Sequence, residues 1–300
     1  AARQAVAEEI GRAAGEVGFF QIVGHGIERE LRQGLIEQAG AFFAQPLEVK
    51  MTRYIGQYDH HRGYVPPGEE APDPDKRDLK EAFDLAFELP ADDPDVLAGT
   101  PLLGPNPWPE LAGFREPVES YYQATYRVGR ALMQGFALAL GLEETRFLRH
   151  VTKPPSQLRL IHYPFDPHAE DAQGIGAHTD YECFTLLLTT APGLEVMNGA
   201  SEWIAVPYLD DALVINIGDM LEIWTDGEFV ATSHRVRKVK EERYAFPLFF
   251  ACDYHTEVAP LPELAKRHGG KTHYTPLKAG DHLYAQTIQT FCYLQERLKR

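Results

Sequence analysis

Residues 174–190 read GIGAHTDYECFTLLLTT, which places His178 two positions before Asp180 and just ahead of an apolar run. Side chains two positions apart in a β-strand project from the same face. An imidazole and a carboxylate directed into one space are a natural pair of metal ligands, and the metal ion would supply the countercharge that a buried carboxylate needs. Because H-x-D tripeptides are common by chance, the rest of the chain decides whether this pair binds a metal.

The chain around this stretch has the pattern of a β-sheet protein. Short apolar runs separated by turn residues predict strands over residues 158–163, 193–197, 212–217, 220–225, 228–236 and 242–251. Asp226 and Gly227 stand between two of these runs and predict a hairpin. Many short strands with tight turns are typical of an antiparallel double-sheet jelly roll.

Helical periodicity surrounds this β region. It predicts helices over residues 1–16, 27–43, 116–142, 143–151 and 279–300, with a short strand at 18–24 and a loop-rich stretch at 51–109. We therefore predict an α+β fold. Residues 1–110 form its helical and loop N-terminal region. Residues 111–300 supply support helices, the jelly-roll catalytic core and a C-terminal helix, and the whole is one structural unit.

Composition excludes several classes of partner. The 300 residues carry a net charge of −15, and such a field repels nucleic acid and anionic membrane surfaces. No apolar run is long enough to span a bilayer, and no secretory signal is visible. Three widely spaced cysteines form no disulfide framework, which favours a cytoplasmic location. The oligomeric state stays open.

A third metal ligand is predicted downstream. His234 lies in SHRV, 54 residues beyond Asp180, within the same β region as His178. Two histidines and one carboxylate form a facial triad, which holds one face of an octahedral metal and leaves the other face open. A structural zinc site would instead have a closed tetrahedral shell. The pattern therefore indicates a non-haem Fe(II) oxygenase.

Arg243 begins the next predicted strand, which reads RYAFPLFFA and is apolar from Tyr244 onward. An arginine that enters a buried strand needs an anion, because its desolvation is otherwise uncompensated. A guanidinium group binds carboxylates through two parallel hydrogen bonds. We therefore expect Arg243 to bind one end of a dicarboxylate that chelates the metal with its other end.

Taken together, these motifs resemble the Fe(II)- and 2-oxoglutarate-dependent dioxygenases, in the isopenicillin N synthase-like branch. The shared segments are GFFQIVGHGI at 18–27, RLIHYP at 159–164, GIGAHTDY at 174–181, NIGDMLEIWTDG at 216–227, SHRV at 233–236 and RYAFP at 243–247. The resemblance implies a distorted double-stranded β-helix (jelly roll) core.

The resemblance also implies a site and a reaction. Iron is held by His178, Asp180 and His234, and 2-oxoglutarate is anchored by Arg243 with Tyr163 near its distal carboxylate. The cosubstrate chelates the iron and O2 takes the remaining position. Oxidative decarboxylation then gives succinate and CO2 while a small organic substrate undergoes hydroxylation, desaturation or cyclisation. No general base is required.

One position departs from the family pattern. Members commonly have Arg-x-Ser on this strand, whereas this chain has Ala245 at the third position. A hydrogen bond to a charged group contributes about 1.5–3 kcal/mol, so its loss weakens cosubstrate binding. The ethylene-forming enzyme of the same branch is similar in having Ala there and an Arg that matches Arg159, which could supply compensating charge at the cosubstrate.

The substrate pocket is predicted from neighbouring positions. Tyr181 follows the ligand strand and Phe249 lies on the arginine strand, so both could line the pocket. Arg62, Tyr64 and Glu70, in the loop-rich N-terminal stretch, could form its lid. A pocket with acidic and basic residues would suit a small polar or amino-acid-like substrate.

Two alternatives remain open. An iron oxidase of the isopenicillin N synthase type takes all its electrons from the substrate and needs no 2-oxoglutarate, yet such family members also carry the arginine. A non-catalytic jelly-roll binding protein with a vestigial metal site is the second alternative, and retention of all three ligands speaks against it.

Overall fold

Two antiparallel sheets face each other in the computed structural model, which describes residues 2–70, 80–165, 173–237 and 241–299. The strands are Phe19–Ile22 (β1), Gly63–Val65 (β2), Glu81–Ala86 (β3), Gln157–Tyr163 (β4), Gln173–His178 (β5), Phe184–Thr189 (β6), Leu194–Met197 (β7), Trp203–Ala205 (β8), Leu213–Ile217 (β9), His234–Arg237 (β10), Arg243–Phe250 (β11), Glu257–Val258 (β12) and Leu277–Lys278 (β13). The main sheet has the order β1-β9-β6-β11-β4-β3-β2, and the second sheet has the order β5-β10-β7-β8. This is the expected jelly-roll arrangement.

Most of the helices cover one side of the main sheet, whereas the last helix packs into the intersheet core through Tyr293 and Leu294. They lie at Ala2–Glu16 (α1), Arg29–Phe43 (α2), Leu47–Met51 (α3), Pro94–Leu97 (α4), Arg115–Ala139 (α5), Asp219–Trp224 (α6), Pro262–Ala265 (α7), Ala279–Thr290 (α8) and Cys292–Leu298 (α9). The long helix α5 presents an apolar stripe to the sheet, as its 3.6-residue periodicity predicts. Among the described residues, no helix is long and apolar enough to cross a membrane.

Side chains alternate between the two faces of each strand, so the main sheet contributes to two separate hydrophobic cores. The larger core lies between the main sheet and the helices and includes Phe83, Phe136 and Phe246. The smaller core lies between the two sheets and includes Ile161 and Ala245. Because successive strand residues point to opposite faces, each position on a strand of the main sheet faces either the helices or the intersheet space.

The N-terminal region contributes directly to the main sheet. Strand β1 pairs with β9, and β2 and β3 extend the same sheet beyond β4. The loop-rich stretch therefore contains two strands that sequence periodicity missed, because Pro and Gly surround such short runs. The predicted division near residue 110 falls between α4 and α5, while strands on both sides of it share one sheet.

Four local predictions differ from the structure. Residues 220–225 form helix α6 rather than a strand, so Asp226 and Gly227 end a helix instead of turning a hairpin. Both residues have positive φ, at 54° and 84°, which suits a helix stop as well as a hairpin turn. The strand predicted over 228–236 shortens to β10, and the helix predicted over 143–151 shortens to a 3₁₀ turn at Leu148–His150.

Candidate metal and cosubstrate site

The two candidate histidine ligands are direct neighbours across two strands. Strand β10 lies between β5 and β7, and His234 stands opposite His178 in the register. Their ring centroids are 4.4 Å apart. Residues opposite each other in an antiparallel pair present their side chains to the same face. The sheet register therefore brings together two imidazoles that are far apart in sequence.

Asp180 completes the group from the segment between β5 and β6. Its Oδ1 lies 3.5 Å from Nε2 of His178 and 3.5 Å from Nε2 of His234. One ligand atom from each of the three residues lies within 4.8 Å of the others. Burial by itself would raise the pKa of Asp180, but the two neighbouring histidines hold it well below its usual range.

Hydrogen bonds fix the orientation of these ligand atoms. Nδ1 of His178 lies 2.8 Å from the carbonyl of Gly176, and Nδ1 of His234 lies 3.2 Å from the carbonyl of Thr232. Since a carbonyl oxygen accepts hydrogen bonds, each Nδ1 carries a proton, which leaves Nε2 as the nitrogen whose lone pair can bind a metal. Both lone pairs are therefore available to a metal beside Asp180, as expected of metal-binding histidines.

Two polar residues hold Asp180, and sequence reasoning missed both. Nδ2 of Asn216 donates to Oδ2 of Asp180 at 2.7 Å, and the hydroxyl of Thr185 donates to the same oxygen. Oδ1 is thereby left toward the histidines. Asn216 and Thr185 are opposite each other on β9 and β6, and both are buried. Their polar side chains in otherwise apolar strands were the signal that could have identified them.

Arg243 is buried without a carboxylate partner among the described residues. It is 1% exposed, and its Nε donates to the carbonyl of Ala191 at 3.3 Å. Its guanidinium lies 4.9 Å from the ring centroid of Tyr163, which stands opposite it on β4. Nη1 has no hydrogen-bond partner in the described parts of the chain. Burial accordingly lowers the pKa of Arg243, and this guanidinium can accommodate an anion.

Ala245 stands at the position where the family pattern has a serine. It lies two residues along β11 from Arg243 and is buried in the intersheet core. Thr189 is opposite it on β6, but the Thr189 hydroxyl donates to the carbonyl of Ala191 at 2.9 Å. The described structure therefore places the phenol of Tyr163, rather than a hydroxyl at residue 245, next to the guanidinium.

Arg159 is occupied by carboxylates of the chain itself. Its Nε donates to Oδ1 of Asp84 at 2.8 Å, and its Nη2 forms an ion pair with Glu70. Glu70 also accepts from Nζ of Lys80 at 2.8 Å. We therefore do not retain the expectation that Arg159 supplies compensating charge at the cosubstrate, because two carboxylates already neutralise its charge.

Glu70 was predicted as a lid residue and is instead part of this buried network. Burial alone would raise its pKa, but Arg159 and Lys80 lower it from 4.5 to about 2. A carboxylate whose pKa is lower in the folded state than in the unfolded state stabilises the fold at pH values above its unfolded-state pKa. That stability is lost as pH falls from about 4.5 toward 2.

We expect Glu70→Gln to lower the free energy of unfolding by about 3 kcal/mol at pH 7. Urea unfolding at several pH values measures the effect, and the difference from wild type should shrink as pH falls below about 4.5. Glu110→Gln is the control, because Glu110 pairs with Arg53 while its side chain is 93% exposed. A difference that does not vary with pH would contradict this assignment.

Arg62 and Tyr64, which were predicted as lid residues, are both fully buried among the described residues. Arg62 is fully buried and donates to the carbonyls of Gly104, Phe87 and Leu102. Tyr64 lies on the face of the main sheet that packs against the helices. Residues along a strand alternate between the two faces, and Tyr64 is one position away from those that face the intersheet space. Both side chains stabilise the fold.

Tyr181 and Phe249 are closer to the candidate site. Tyr181 follows Asp180 directly and is half-buried, with its ring 6.1 Å from that of His282. Phe249 stands opposite Thr185 in the register of β11 and β6. It therefore shares the intersheet face with Thr185, which holds Asp180. Their role in substrate binding stays a prediction.

Comparison with known proteins gives a consistent result. Residues 1–111 match the family model described as non-haem dioxygenase in morphine synthesis N-terminal, and residues 154–251 match the 2OG-Fe(II) oxygenase superfamily. The chain is 38% identical over 264 residues to the 2-oxoglutarate-dependent dioxygenase traH of Penicillium crustosum, covering 84% of this chain and 79% of that protein.

Solved structures show the same fold. A 2OG-Fe(II) oxygenase family protein from Caulobacter crescentus superimposes with a TM-score of 0.85 at 30% identity, covering 96% of this chain and 95% of that one. A full-length protein from Neurospora crassa, solved in complex with alpha-KG, superimposes with a TM-score of 0.83 at 24% identity, covering 96% and 92%. At that lower identity the likeness concerns the fold.

Proposed function

Because the chain belongs to the 2OG-Fe(II) oxygenase superfamily and is an Fe(II)- and 2-oxoglutarate-dependent dioxygenase, we propose specific roles for its residues. His178, Asp180 and His234 hold the iron, and Arg243 and Tyr163 anchor the distal carboxylate of 2-oxoglutarate. The observation that carries this proposal is the convergence of the three ligand atoms within 4.8 Å of one another.

The donor set suits Fe(II). Two neutral imidazoles and one carboxylate are the ligands of non-haem iron oxygenases, and they leave positions for a cosubstrate and O2. The hydrogen bonds of His178 and His234 to backbone carbonyls orient both rings before any metal binds. Asn216 keeps the Asp180 carboxylate in place, so the chain supplies a preorganised site.

The cosubstrate role of Arg243 rests on its incomplete hydrogen bonding. A buried guanidinium with an unpartnered Nη1 has a desolvation cost that a bound carboxylate removes. Tyr163 lies beside it and compensates in part for the missing serine hydroxyl at Ala245. The apolar residues Ile161 and Leu187 lie on the same intersheet face and exclude water from the cosubstrate.

The contribution of the protein to the reaction is positioning. Iron with 2-oxoglutarate supplies O2 activation coupled to oxidative decarboxylation, which yields succinate and CO2. The triad fixes the ligand geometry, Arg243 fixes the direction of the cosubstrate, and the intersheet core keeps the site dry. Phe249 and Tyr181 direct one bond of a small organic substrate toward the metal.

Formation of a metal-to-ligand absorption band tests this assignment. We expect anaerobic protein with Fe(II) to build the band when 2-oxoglutarate is added, and to release succinate after O2 is admitted. An iron oxidase of the isopenicillin N synthase type would give neither result. The matched experiment with succinate in place of 2-oxoglutarate controls for nonspecific carboxylate binding.

Asn216→Ala should weaken iron binding although Asn216 is not a ligand. Loss of its hydrogen bond leaves the Thr185 hydroxyl as the remaining described donor to Oδ2 of Asp180, and such supporting partners typically contribute 10–100-fold in metal affinity. Anaerobic Fe(II) titration measures the change. Asn198→Ala is the control, because Asn198 makes its hydrogen bonds within a surface turn. Equal iron affinities of the two variants would contradict the supporting role.

The substrate is a small molecule, as the family implies, and the strongly acidic chain disfavours nucleic acid and anionic membranes as partners. The cytoplasmic location, argued from cysteine usage, stays a prediction. None of the three cysteines, all of which lie in the described ranges, forms a disulfide, and Cys183 and Cys252 are buried.

A further inference from the structure

The hydroxyl that the family pattern has at residue 245 has a counterpart on the adjoining strand. Ala245 lies between two strands, opposite Ile161 on β4 and opposite Thr189 on β6. Directly opposite residues of an antiparallel pair project from the same face, with Cβ atoms about 4.5–5.5 Å apart. Of the two residues that flank Ala245, Thr189 therefore brings a hydroxyl to the place where the serine is missing.

Thr189 shares a face of the main sheet with the cosubstrate anchor. Arg243 lies two positions before Ala245 on β11, and Tyr163 stands opposite Arg243 on β4. Side chains two positions apart in a strand project from the same face. The Thr189 hydroxyl, the guanidinium and the phenol are therefore on the intersheet side of the sheet.

A single carbonyl group links the Thr189 hydroxyl to the guanidinium. The carbonyl of Ala191 accepts from Oγ1 of Thr189 at 2.9 Å and from Nε of Arg243 at 3.3 Å. Nη1 of Arg243 has no hydrogen-bond partner among the described residues. Two donors that bind one oxygen atom lie close enough together for one carboxylate group to accept from both side chains.

The Thr189 hydroxyl can change its acceptor at little cost. Its present acceptors are the carbonyl of Ala191 and, at 3.4 Å, the carbonyl of Tyr244. The Ala191 carbonyl also accepts from Nε of Arg243. The Tyr244 carbonyl also accepts from the backbone N–H of Thr190 at 3.0 Å. Rotation about the Cβ–Oγ1 bond of Thr189 therefore redirects its proton without leaving either carbonyl unpaired.

Thr189 also has unfilled space beside it. The residue is only partly buried, and it lines a crevice together with Ala191, Leu194 and Val214. Leu194 and Val214 belong to the intersheet core. A close-packed side chain has no room for a new contact. The Thr189 side chain, in contrast, borders space in which its hydroxyl can turn.

We propose that Thr189 donates the hydrogen bond to the distal carboxylate of 2-oxoglutarate that a serine two positions after the arginine donates elsewhere in the family. In the bound state the carboxylate accepts from the guanidinium of Arg243 and from the Thr189 hydroxyl. This role rests on the proposed function, because it needs Arg243 as the anchor. Thr189 thereby sets how tightly a chain with Ala245 holds its cosubstrate.

Titration of the anaerobic Fe(II) protein with 2-oxoglutarate tests this role by affinity rather than by activity. Thr189→Val keeps the β-branched shape and removes the hydroxyl, so it should raise the Kd by about tenfold or more. Thr189→Ser keeps the hydroxyl and is the matched control, with a Kd within about threefold of wild type. The proposal is overturned if Thr189→Val binds as tightly as wild type, or if Thr189→Ser loses as much affinity as Thr189→Val.

A hydroxyl on the opposite strand separates this role from a change in strand packing. Ala245→Ser, introduced into the Thr189→Val protein, should restore most of the lost affinity, because it returns a donor to the same carboxylate. If the double variant binds 2-oxoglutarate as weakly as Thr189→Val, the loss did not come from the missing hydroxyl and the proposal is wrong.

Ala245→Ser alone keeps the test decisive if Thr189→Val does not fold. Because Thr189 already supplies the hydroxyl in the wild-type protein, a serine at residue 245 should raise the affinity for 2-oxoglutarate by no more than about threefold. A larger gain would show that the wild-type anchor lacks a hydroxyl donor, which contradicts the role of Thr189.

The absorption band with 2-oxoglutarate separates this proposal from the function itself. If wild-type protein builds the band and Thr189→Val binds with wild-type affinity, the role of Thr189 alone is overturned. If wild-type protein builds no band, the proposed cosubstrate site is wrong, and the role of Thr189 falls with it.

Discussion

Asp180→Ala is expected to lower Fe(II) affinity by at least about 100-fold and to abolish succinate formation. Supporting residues around metal sites contribute 10–100-fold, so removal of a ligand has a larger effect. Asp180 also supplies the negative charge of the triad, since the two other ligands are neutral imidazoles when they bind metal. Anaerobic Fe(II) titration followed by metal analysis measures the loss.

Asp210→Ala is the matched control, because Asp210 is an exposed carboxylate that lies 4.0 Å from Arg29. It should leave iron content at one ion per chain. His178→Ala should also lose the metal, since His178 lies opposite His234 in the same site. Unchanged metal content in either triad variant would show that iron binds elsewhere, and the proposed site would then be wrong.

Arg243→Met is expected to raise the Kd for 2-oxoglutarate by about 30- to 4000-fold. Truncating one partner of a buried charged pair costs about 2–5 kcal/mol, and each 1.4 kcal/mol is tenfold in affinity. Methionine keeps much of the apolar stem of the side chain and removes the guanidinium. Titration of the Fe(II)-dependent absorption band with 2-oxoglutarate measures the change.

Although Arg243→Met weakens 2-oxoglutarate binding, it should not lower the stability of the ligand-free protein. Arg243 is 1% exposed and has an unpartnered Nη1 in the described structure, so its desolvation destabilises the fold until an anion binds. Arg243→Met should therefore unfold at the same urea concentration as wild type, or at a higher one. A strongly destabilised variant would instead indicate a structural role for Arg243.

Sequence patterns predicted much of the core because strand and helix periods report which residues are buried. Helix α5 and strands β4 and β11 lie where periodicity placed them. Patterns failed where one signal has two physical meanings. Asp226 and Gly227 suit any site that needs positive φ, so the same dipeptide ends helix α6 and was misread as a hairpin turn.

The sequence by itself determined which residue types are available for the chemistry. An H-x-D pair, a later histidine and an arginine at the start of an apolar strand are local facts, and the family motifs link them. What the sequence could not provide is which side chains share a space. Arg62 and Tyr64 carry suitable chemistry, yet the register of β2 directs Tyr64 toward the helices.

Tertiary structure alone decided the partners of each charged group. Arg159 was expected near the cosubstrate, but β3 places Asp84 opposite it, and the buried Glu70 completes its neutralisation. Arg243, in contrast, has no carboxylate partner among the described residues. The physical reason is that desolvation makes a buried charge depend on its nearest neighbours, and strand register, which no short motif encodes, selects those neighbours.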